Sequence, residues 1–499
     1  MLQAGGRRNE PANRIMPLRT TLPAMARPEE RVHNTWIDSN RALPSRFVQP
    51  LQRFMSVEAA GGIVLLVATA LALLWANGPF GETYRTFWET PFVIEIGGFH
   101  LEEDFEHIVN DALMVIFFFV VGLEIKRELV VGELRDPKRA ALPALAAVGG
   151  MVVPALIYVA FNAGDGEAVR GWGIPMATDI AFAVGVISLL GQRVSASAKL
   201  FLLALAIADD IGAILVIAIF YTTDLSVGWL LAAVAGLLIM YASQRAQIRS
   251  TLYYVVLGIG IWFFVFESGV HATLAGVAIG LMTPAVAYYS DDQFRSRATW
   301  ILDRYDMEAA SPTARERIDA SALELSEVAY ESVSPLDRLE HTLHPWSSFL
   351  IIPIFALANA GLRFADIDVG TAITSGVALG VALGLVVGKI VGITLATWLA
   401  VRFGAGALPR RTSWSQLVGL AAIAGIGFTV SLFITELAFT DEILIDEAKI
   451  GIFAASIAAA VIGYTILRRF KTPSQLIEQE RKTMGLDQYE LEGEAPAQA

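Results

Sequence analysis

The chain of 499 residues contains no cysteine. Disulfides, thiolate metal sites and cysteine nucleophiles are therefore excluded. Charge is scarce as well. Asp, Glu, Lys and Arg make up 17% of residues, too few for the surface of a soluble protein this long. What is there instead is apolar: 55% of residues are hydrophobic, and the mean hydropathy is +0.55. Runs long enough to span a bilayer recur along the chain, which reads as a multi-span membrane protein. The formal net charge of −12 then matters less than which loops carry which sign.

Runs and breakers predict an all-α membrane protein with twelve spans, at 55–77, 106–131, 141–162, 172–191, 196–221, 227–243, 251–266, 270–282, 338–362, 375–400, 416–439 and 447–468. Spans seven and eight read either as one long helix or as a hairpin around Glu267-Ser268-Gly269. Loop charge decides, because Lys and Arg concentrate on the cytoplasmic side. Basic clusters come after spans two, four, six, ten and twelve, for example Lys126, Arg127, Lys138 and Arg139, or Arg468, Arg469 and Lys471. Only twelve spans put them all, and the arginine-rich first 53 residues, on one side. The alternate loops are acidic. Both termini are then cytoplasmic.

The spans divide the chain into five parts. Residues 1–50 form a polar, disordered tail, 51–282 carry spans one to eight, 283–335 form a charged cytoplasmic insert, 336–470 carry spans nine to twelve, and 471–499 form a polar tail. In the insert, Ile318, Ala322, Leu325 and Ala329 have helical spacing and predict one amphipathic helix. "PFVIEIGGFHLE", Pro91 to Glu102, alternates around Gly97-Gly98 and predicts a small external β-hairpin able to pair between subunits.

Chemistry is concentrated where charge enters the apolar runs. "LALAIADDIGAIL" places Asp209 and Asp210 at the middle of span five. Each costs about 2.5–3.5 kcal/mol at a helix centre, and such acids mark ion or proton paths. Adjacent helical residues point about 100° apart, so the two carboxylates need different partners. Lys389, deep in "LGLVVGKIVGITLA", is the candidate partner, among glycines that let a helix approach closely. In span four, "GWGIPMATDIAFAVG" sets Pro175 before Thr178 and Asp179. Span eleven has its own soft point at Gly425 and Gly427 in "AAIAGIGFTVS". Two interrupted spans point to broken helices around a midplane site. Asp179 would neutralise half-helix N-termini there, and Lys389 the C-termini. Asp111 opens the apolar part of span two, and Glu124 and Glu128 stand one turn apart near its cytoplasmic end. "RLEHTLHPW" puts Glu340, His341 and His344 at the start of span nine, where histidine can respond to pH near neutrality. His271 reads as a ligand or as a buried core histidine.

"ALAIADDIGAIL", "GWGIPMATDIAFA", "FFFVVGLEIKREL", "LEHTLHPW" and "GIGFTVSLFI" together resemble the NhaA-type sodium/proton antiporter family, over residues 54–282 and 335–469. The resemblance implies two inverted three-helix repeats, spans three to five and ten to twelve, with spans four and eleven broken and crossing. It implies a pH-regulated secondary transporter of the inner membrane, not an enzyme, that exchanges Na⁺, and by family Li⁺, for H⁺. No cofactor and no nucleic acid are implied. Asp210 matches the principal sodium ligand, Asp209 its partner in ion and proton binding, and Lys389 the lysine paired with Asp209. Thr178 and Asp179 match the crossing-point pair, and Asp111 is taken as a supporting residue. Glu124, Glu128, Glu340, His341 and His344 lie in the region tied to pH response, and the 91–102 hairpin matches a homodimer contact. Three features depart from the pattern: the long N-terminal tail, the long insert before span nine, and Asp337 before Arg338 where basic residues are usual. A sodium-coupled symporter, a channel and an intramembrane aspartyl protease are the alternatives. The only GxGD-like stretch, "NAGDGEA", falls in a loop.

Overall fold

The computed structural model describes residues 55, 59–96, 99–222, 225–248, 250–309, 315–409 and 412–470. The tails at 1–50 and 471–499 lie outside the described residues, as do Gly97 and Gly98. The chain divides into Met1–Ser56 and Val57–Ala499, and the architecture below is that of the second unit.

It is mostly helical, with one small sheet. Helix α1 (Ala60–Asn77) and the short amphipathic α2 (Gly81–Trp88) precede strands β1 (Pro91–Ile96) and β2 (Phe99–Asp104). The strands pair antiparallel from Pro91↔Asp104 to Ile96↔Phe99, the register that alternation about two glycines predicts. Trp75, Tyr84, Phe87, Trp88 and Phe105 gather nearby with ring centroids 4.9–6.4 Å apart. Such aromatic belts sit at membrane–water interfaces.

Helix α3 (Phe105–Val130) contains a π turn at Val109–Leu113. Helix α4 (Pro137–Asn162) starts before the predicted 141, because Asp136 accepts from the Lys138 amide and Pro137 suits a first turn. A 3₁₀ helix, Ala168–Met176, then gives way to an extended break at 177–179 before α5 (Ile180–Leu190). Next come α6 (Ala196–Phe220), α7 (Val227–Arg245), α8 (Thr251–Glu267) and α9 (Thr273–Met282). Residues 251–282 are thus two helices, as loop charge required.

The insert holds two helices rather than the one predicted, α10 (Asp291–Ala309) and α11 (Arg315–Glu331). Helix α10 carries Phe294, Ala298, Ile301 and Tyr305 at helical spacing and buries Ile301. It is held by Arg297 and Arg304, which both bond Glu324 of α11 and both lie against Trp300. Helix α12 (Pro335–Trp346) is capped by Ser334 and runs through a π turn, Ser347–Ile351, into α13 (Ile352–Asn359). Helix α14 (Gly376–Arg402) has a π turn at Gly384–Gly388. Helices α15 (Trp414–Ile423) and α16 (Phe428–Ala438) are bent 50° to each other. Helix α17 (Glu442–Arg468) begins before the predicted 447, since Asp441 caps it and its first turns tolerate acids.

Every predicted span therefore contains helix. Eight described helices are long and apolar enough to cross a membrane, or nine if α15 and α16 are one span. Helices α8 and α9 have 17 and 10 residues, short of the ~20 that a full crossing uses. The 3₁₀ segment, α5, α6 and α14–α16 hold the deepest residues, including Ile174, Leu205, Leu385, Ile423, Leu432 and Phe433. Helix α14 lies hard against α4. A Cβ on Gly149 would stand 2.3 Å from the Gly392 carbonyl oxygen, and one on Gly392 2.1 Å from that of Gly149. Neither position accepts a side chain, and this contact brings Lys389 inward.

Candidate ion-binding site

Asp209 and Asp210 lie on α6 with no interruption of the helix. Their relative exposures are 0% and 8%, and that of Lys389 is 0%. Lys389 opens the α-helical part of α14 directly after its π turn. A π turn inserts a residue and so rotates the side chains beyond it about the helix axis. Tight packing fixes this one, since a Cβ on Gly388 would come within 2.8 Å of Pro154 and one on Gly384 within 2.7 Å of Pro175. The Lys389 ammonium is 2.5 Å from Asp209 Oδ2 and also donates to the Met176 carbonyl, at the end of the 3₁₀ helix. One ammonium thus balances a carboxylate and the negative end of a half helix.

The two breaks cross and bond to each other. The Asp179 amide donates to the Ile426 carbonyl at 2.7 Å. The Thr178 hydroxyl is 2.7 Å from both Asp209 Oδ2 and the Ala424 carbonyl, and its single proton serves one at a time. The Ser431 hydroxyl donates to the Ile174 carbonyl at 2.8 Å. The Asp179 carboxylate caps both half helices. Oδ1 accepts from the Phe182 amide of α5 at 2.9 Å. Oδ2 accepts from the Thr429 amide of α16 at 3.1 Å and the Thr429 hydroxyl at 2.6 Å. The sequence-level expectation for Asp179 and Lys389 at half-helix ends matches these contacts.

The adjacent aspartates differ as their 100° separation requires. Asp209 is bound to Lys389 and Thr178 through Oδ2. Asp210 makes neither contact, and its buried Oδ1, like Asp209 Oδ1, has no hydrogen-bond partner. Asp209, Glu124 and Asp179 are the carboxylates whose field reaches Asp210. A carboxylate with free lone pairs in a buried, acid-rich setting can take a proton or a hard, oxygen-seeking cation.

The remaining predicted residues separate. Glu124 is half-buried on α3, within electrostatic reach of Asp210 and Glu340. Glu340 of α12 is 2.6 Å from Arg127, near the C-terminal end of α3. Glu128 caps the Glu133–Arg135 turn, accepting from the Glu133 amide at 2.9 Å. His341 and His344 are exposed on α12. Asp111 lies in the π turn of α3, near the hairpin, with His107 and Glu103 as its charged neighbours. It is not brought to the aspartate pair. His271 packs against Phe433, ring centroids 6.4 Å apart, which favours the core reading. Sequence reasoning passed over Thr429 and Ser431, whose only signal was their place just after the Gly425–Gly427 soft point. It also passed over the Glu436–Lys449 ion pair at 3.0 Å, because each residue read as an ordinary residue near a span end.

The comparisons with known proteins agree with this geometry. The family model for Na⁺/H⁺ antiporter 1 matches residues 52–467. The chain is 48% identical over 433 residues to a protein of Koribacter versatilis named Na(+)/H(+) antiporter NhaA, covering 86% of this chain and 94% of that one. It is 47% identical over 423 residues to Na(+)/H(+) antiporter NhaA 2 of Syntrophotalea carbinolica, covering 84% and 96%. A third relative, Na(+)/H(+) antiporter NhaA 2 of Sorangium cellulosum, is 44% identical over 444 residues, covering 88% and 94%. With two broken segments crossing at buried aspartates and a lysine, and a family match across nearly all of the described helices, this chain belongs to the NhaA-type Na⁺/H⁺ antiporter family.

Proposed function

We propose that the chain extrudes Na⁺, and Li⁺, in exchange for entering H⁺. The observation that carries this reading is the asymmetric pair. Asp209 Oδ2 is held by Lys389 at 2.5 Å and by the Thr178 hydroxyl at 2.7 Å, while the neighbouring Asp210 makes neither contact. Asp210 is the principal cation ligand, and Asp209 shares in binding ion and proton. A proton and a hard cation compete for the same carboxylate oxygens, so loading one releases the other. The crossing of the two broken segments lets the site face either side as they rock, which is alternating access. At alkaline cytoplasmic pH the carboxylates lose protons and take Na⁺. It is then released outside as protons enter.

In this reading the protein has twelve spans, with α8 and α9 as spans seven and eight, and inverted repeats at spans three to five and ten to twelve. It sits in the bacterial inner membrane with both termini cytoplasmic. Glu124, Arg127 and Glu340 at the cytoplasmic ends of α3 and α12 tune the response to pH. The strands β1 and β2 pair across a two-fold axis to make a homodimer, which covers an otherwise open sheet edge.

The test uses inside-out vesicles with an entrapped pH dye. After energisation, Na⁺ or Li⁺ is expected to release protons from the wild type and K⁺ is not. Asp210→Asn, inserted to normal abundance, is expected to abolish the response. Near-normal exchange by Asp210→Asn would sink the assignment.

A further inference from the structure

The second broken segment is fastened to its neighbour at two places. At its start, the Phe428 amide donates to Ser456 Oγ of α17 at 3.3 Å. Near its end, Glu436 Oε1 forms an ion pair with Lys449 Nζ of α17 at 3.0 Å, without hydrogen-bond geometry, with side-chain exposures of 16% and 11%. The two helices run antiparallel through a short turn at 439–441. The eight residues from Phe428 to Glu436 span about 12 Å, and the seven from Lys449 to Ser456 about 10.5 Å. The lengths match closely enough for two straight helices to make both contacts. Between the fastenings Phe428 packs on Phe453 of α17, ring centroids 5.7 Å apart. Such apolar contact is non-directional, so the two polar contacts add a directional constraint on the register of α16 along α17.

The register matters because of what α16 carries at its start. Its first turn presents the Thr429 amide and hydroxyl to Asp179, and Asp179 lies within the field of Asp210. A shift of α16 along α17 would withdraw those donors and change the charge balance beside the cation ligand.

The Lys449 ammonium is within electrostatic reach of carboxyl groups from three elements: Glu436 of α16, Glu106 of α3 and Asp446 of α17. Asp104 and His107 act electrostatically on Glu106, and Glu442 and Asp366 on Asp446. Removing the ammonium leaves the half-buried Glu436 facing like charges, which weakens the hold of α16 on α17.

We propose that Glu436 and Lys449 are a positioning pair for the ion site, holding α16 in the register that keeps Thr429 on Asp179. The inference rests on the exchange activity proposed above for its transport readout, and on amide protection for an independent one. Lys449→Met is expected to raise the apparent KM for Na⁺ roughly three- to tenfold, the scale of one lost coupling interaction. The maximal rate per folded transporter should stay within about twofold. Hydrogen exchange should speed up at the amides of Phe428 and Thr429. Lys449→Arg keeps the charge and is expected to restore both. Ser456→Ala, at the other fastening, should move both in the same direction. A purely structural role would lower the folded yield and leave both readouts unmoved.

Should Lys449→Met fail to fold, the near-isosteric Glu436→Gln is read in the same two assays. Unchanged KM and unchanged amide protection in either folded variant would overturn the positioning role, as would failure of Lys449→Arg to restore them. A wild type silent to Na⁺ would sink the exchange reading alone, because amide protection still decides whether the pair positions α16.

Discussion

Asp179→Asn isolates what a single carboxylate does at the crossing. In the wild type Oδ1 serves the Phe182 amide, and Oδ2 serves the amide and hydroxyl of Thr429. An asparagine side chain has one acceptor oxygen and turns an NH₂ group to the other side. With its oxygen toward Phe182, the NH₂ faces the Thr429 amide, donor against donor. The Thr429 hydroxyl can turn to accept, but the Thr429 amide cannot. One buried donor is therefore orphaned, at about 1–3 kcal/mol. The negative charge facing two half-helix N-termini is lost as well, at about 0.3–1 kcal/mol each when exposed and up to ~2 when partly buried. Hydrogen bonds in membrane proteins average only about 0.6 kcal/mol, because the unfolded chain in the bilayer finds partners too. These terms together give a loss of about 2–4 kcal/mol, and the melting temperature should fall by roughly 4–8 °C at about 2 °C per kcal/mol. Asp179→Ala orphans all three donors and should fall further. The measurement is thermal unfolding of the purified protein in detergent by tryptophan fluorescence. A melting temperature for Asp179→Asn within about 1 °C of the wild type would refute the double-cap argument.

Three other contacts give outcomes of their own. Lys389→Ala removes the ammonium 2.5 Å from Asp209, so a proton competes better with Na⁺ there. The activity profile in vesicles should move in the alkaline direction, with Lys389→Arg milder, and an unshifted midpoint would exclude the pairing role. Deleting Val93 to Phe99 removes the core of the β1–β2 pairing and is expected to turn a detergent-solubilised dimer into a monomer with exchange largely kept. Light scattering that shows an unchanged dimer counts against the hairpin contact. In the insert, hydrogen bonds from Arg304 and Arg297 hold the Glu324 carboxyl below the usual glutamate range. The stabilisation is present above the unfolded value of about 4.3 and is lost as pH falls through the lower folded value. The fluorescence of Trp300, which touches both guanidinium groups, taken as the difference from Trp300→Phe, should change only below about pH 4. The same acid transition in Glu324→Gln would exclude Glu324 as its source.

Local chemistry alone determined much of this molecule. Apolar runs place the helices, because a backbone in lipid must satisfy itself within the segment. Asp136-Pro137, Ser195, Ser250, Ser334-Pro335 and the Ser413–Gln416 capping box start helices where such residues start them elsewhere. Adjacent acids in an apolar run marked Asp209 and Asp210 as the candidate site, and Pro175 and the 425–427 glycines announced the breaks. What residue types and spacing left open is the contacts between distant positions, the Asp209–Lys389 pairing being implied by the family resemblance alone. Asp209 rather than Asp210 meets Lys389, 180 residues away, because packing of α14 on α4 and the π turn at Gly384–Gly388 set the direction of one side chain. Asp179 caps a helix 250 residues downstream, and Lys449 meets Glu436 across a turn that neither residue announces. Helix α10 is bonded to α11 through Arg297, Arg304 and Glu324, and His341 and His344 turn outward while Glu340 turns to Arg127. Composition and periodicity specify which face a helix buries, but not the depth, rotation or partner at which it settles. Those are chosen by close packing and by the requirement that each buried charge find an opposite charge or a helix end, a condition that only the assembled fold can meet.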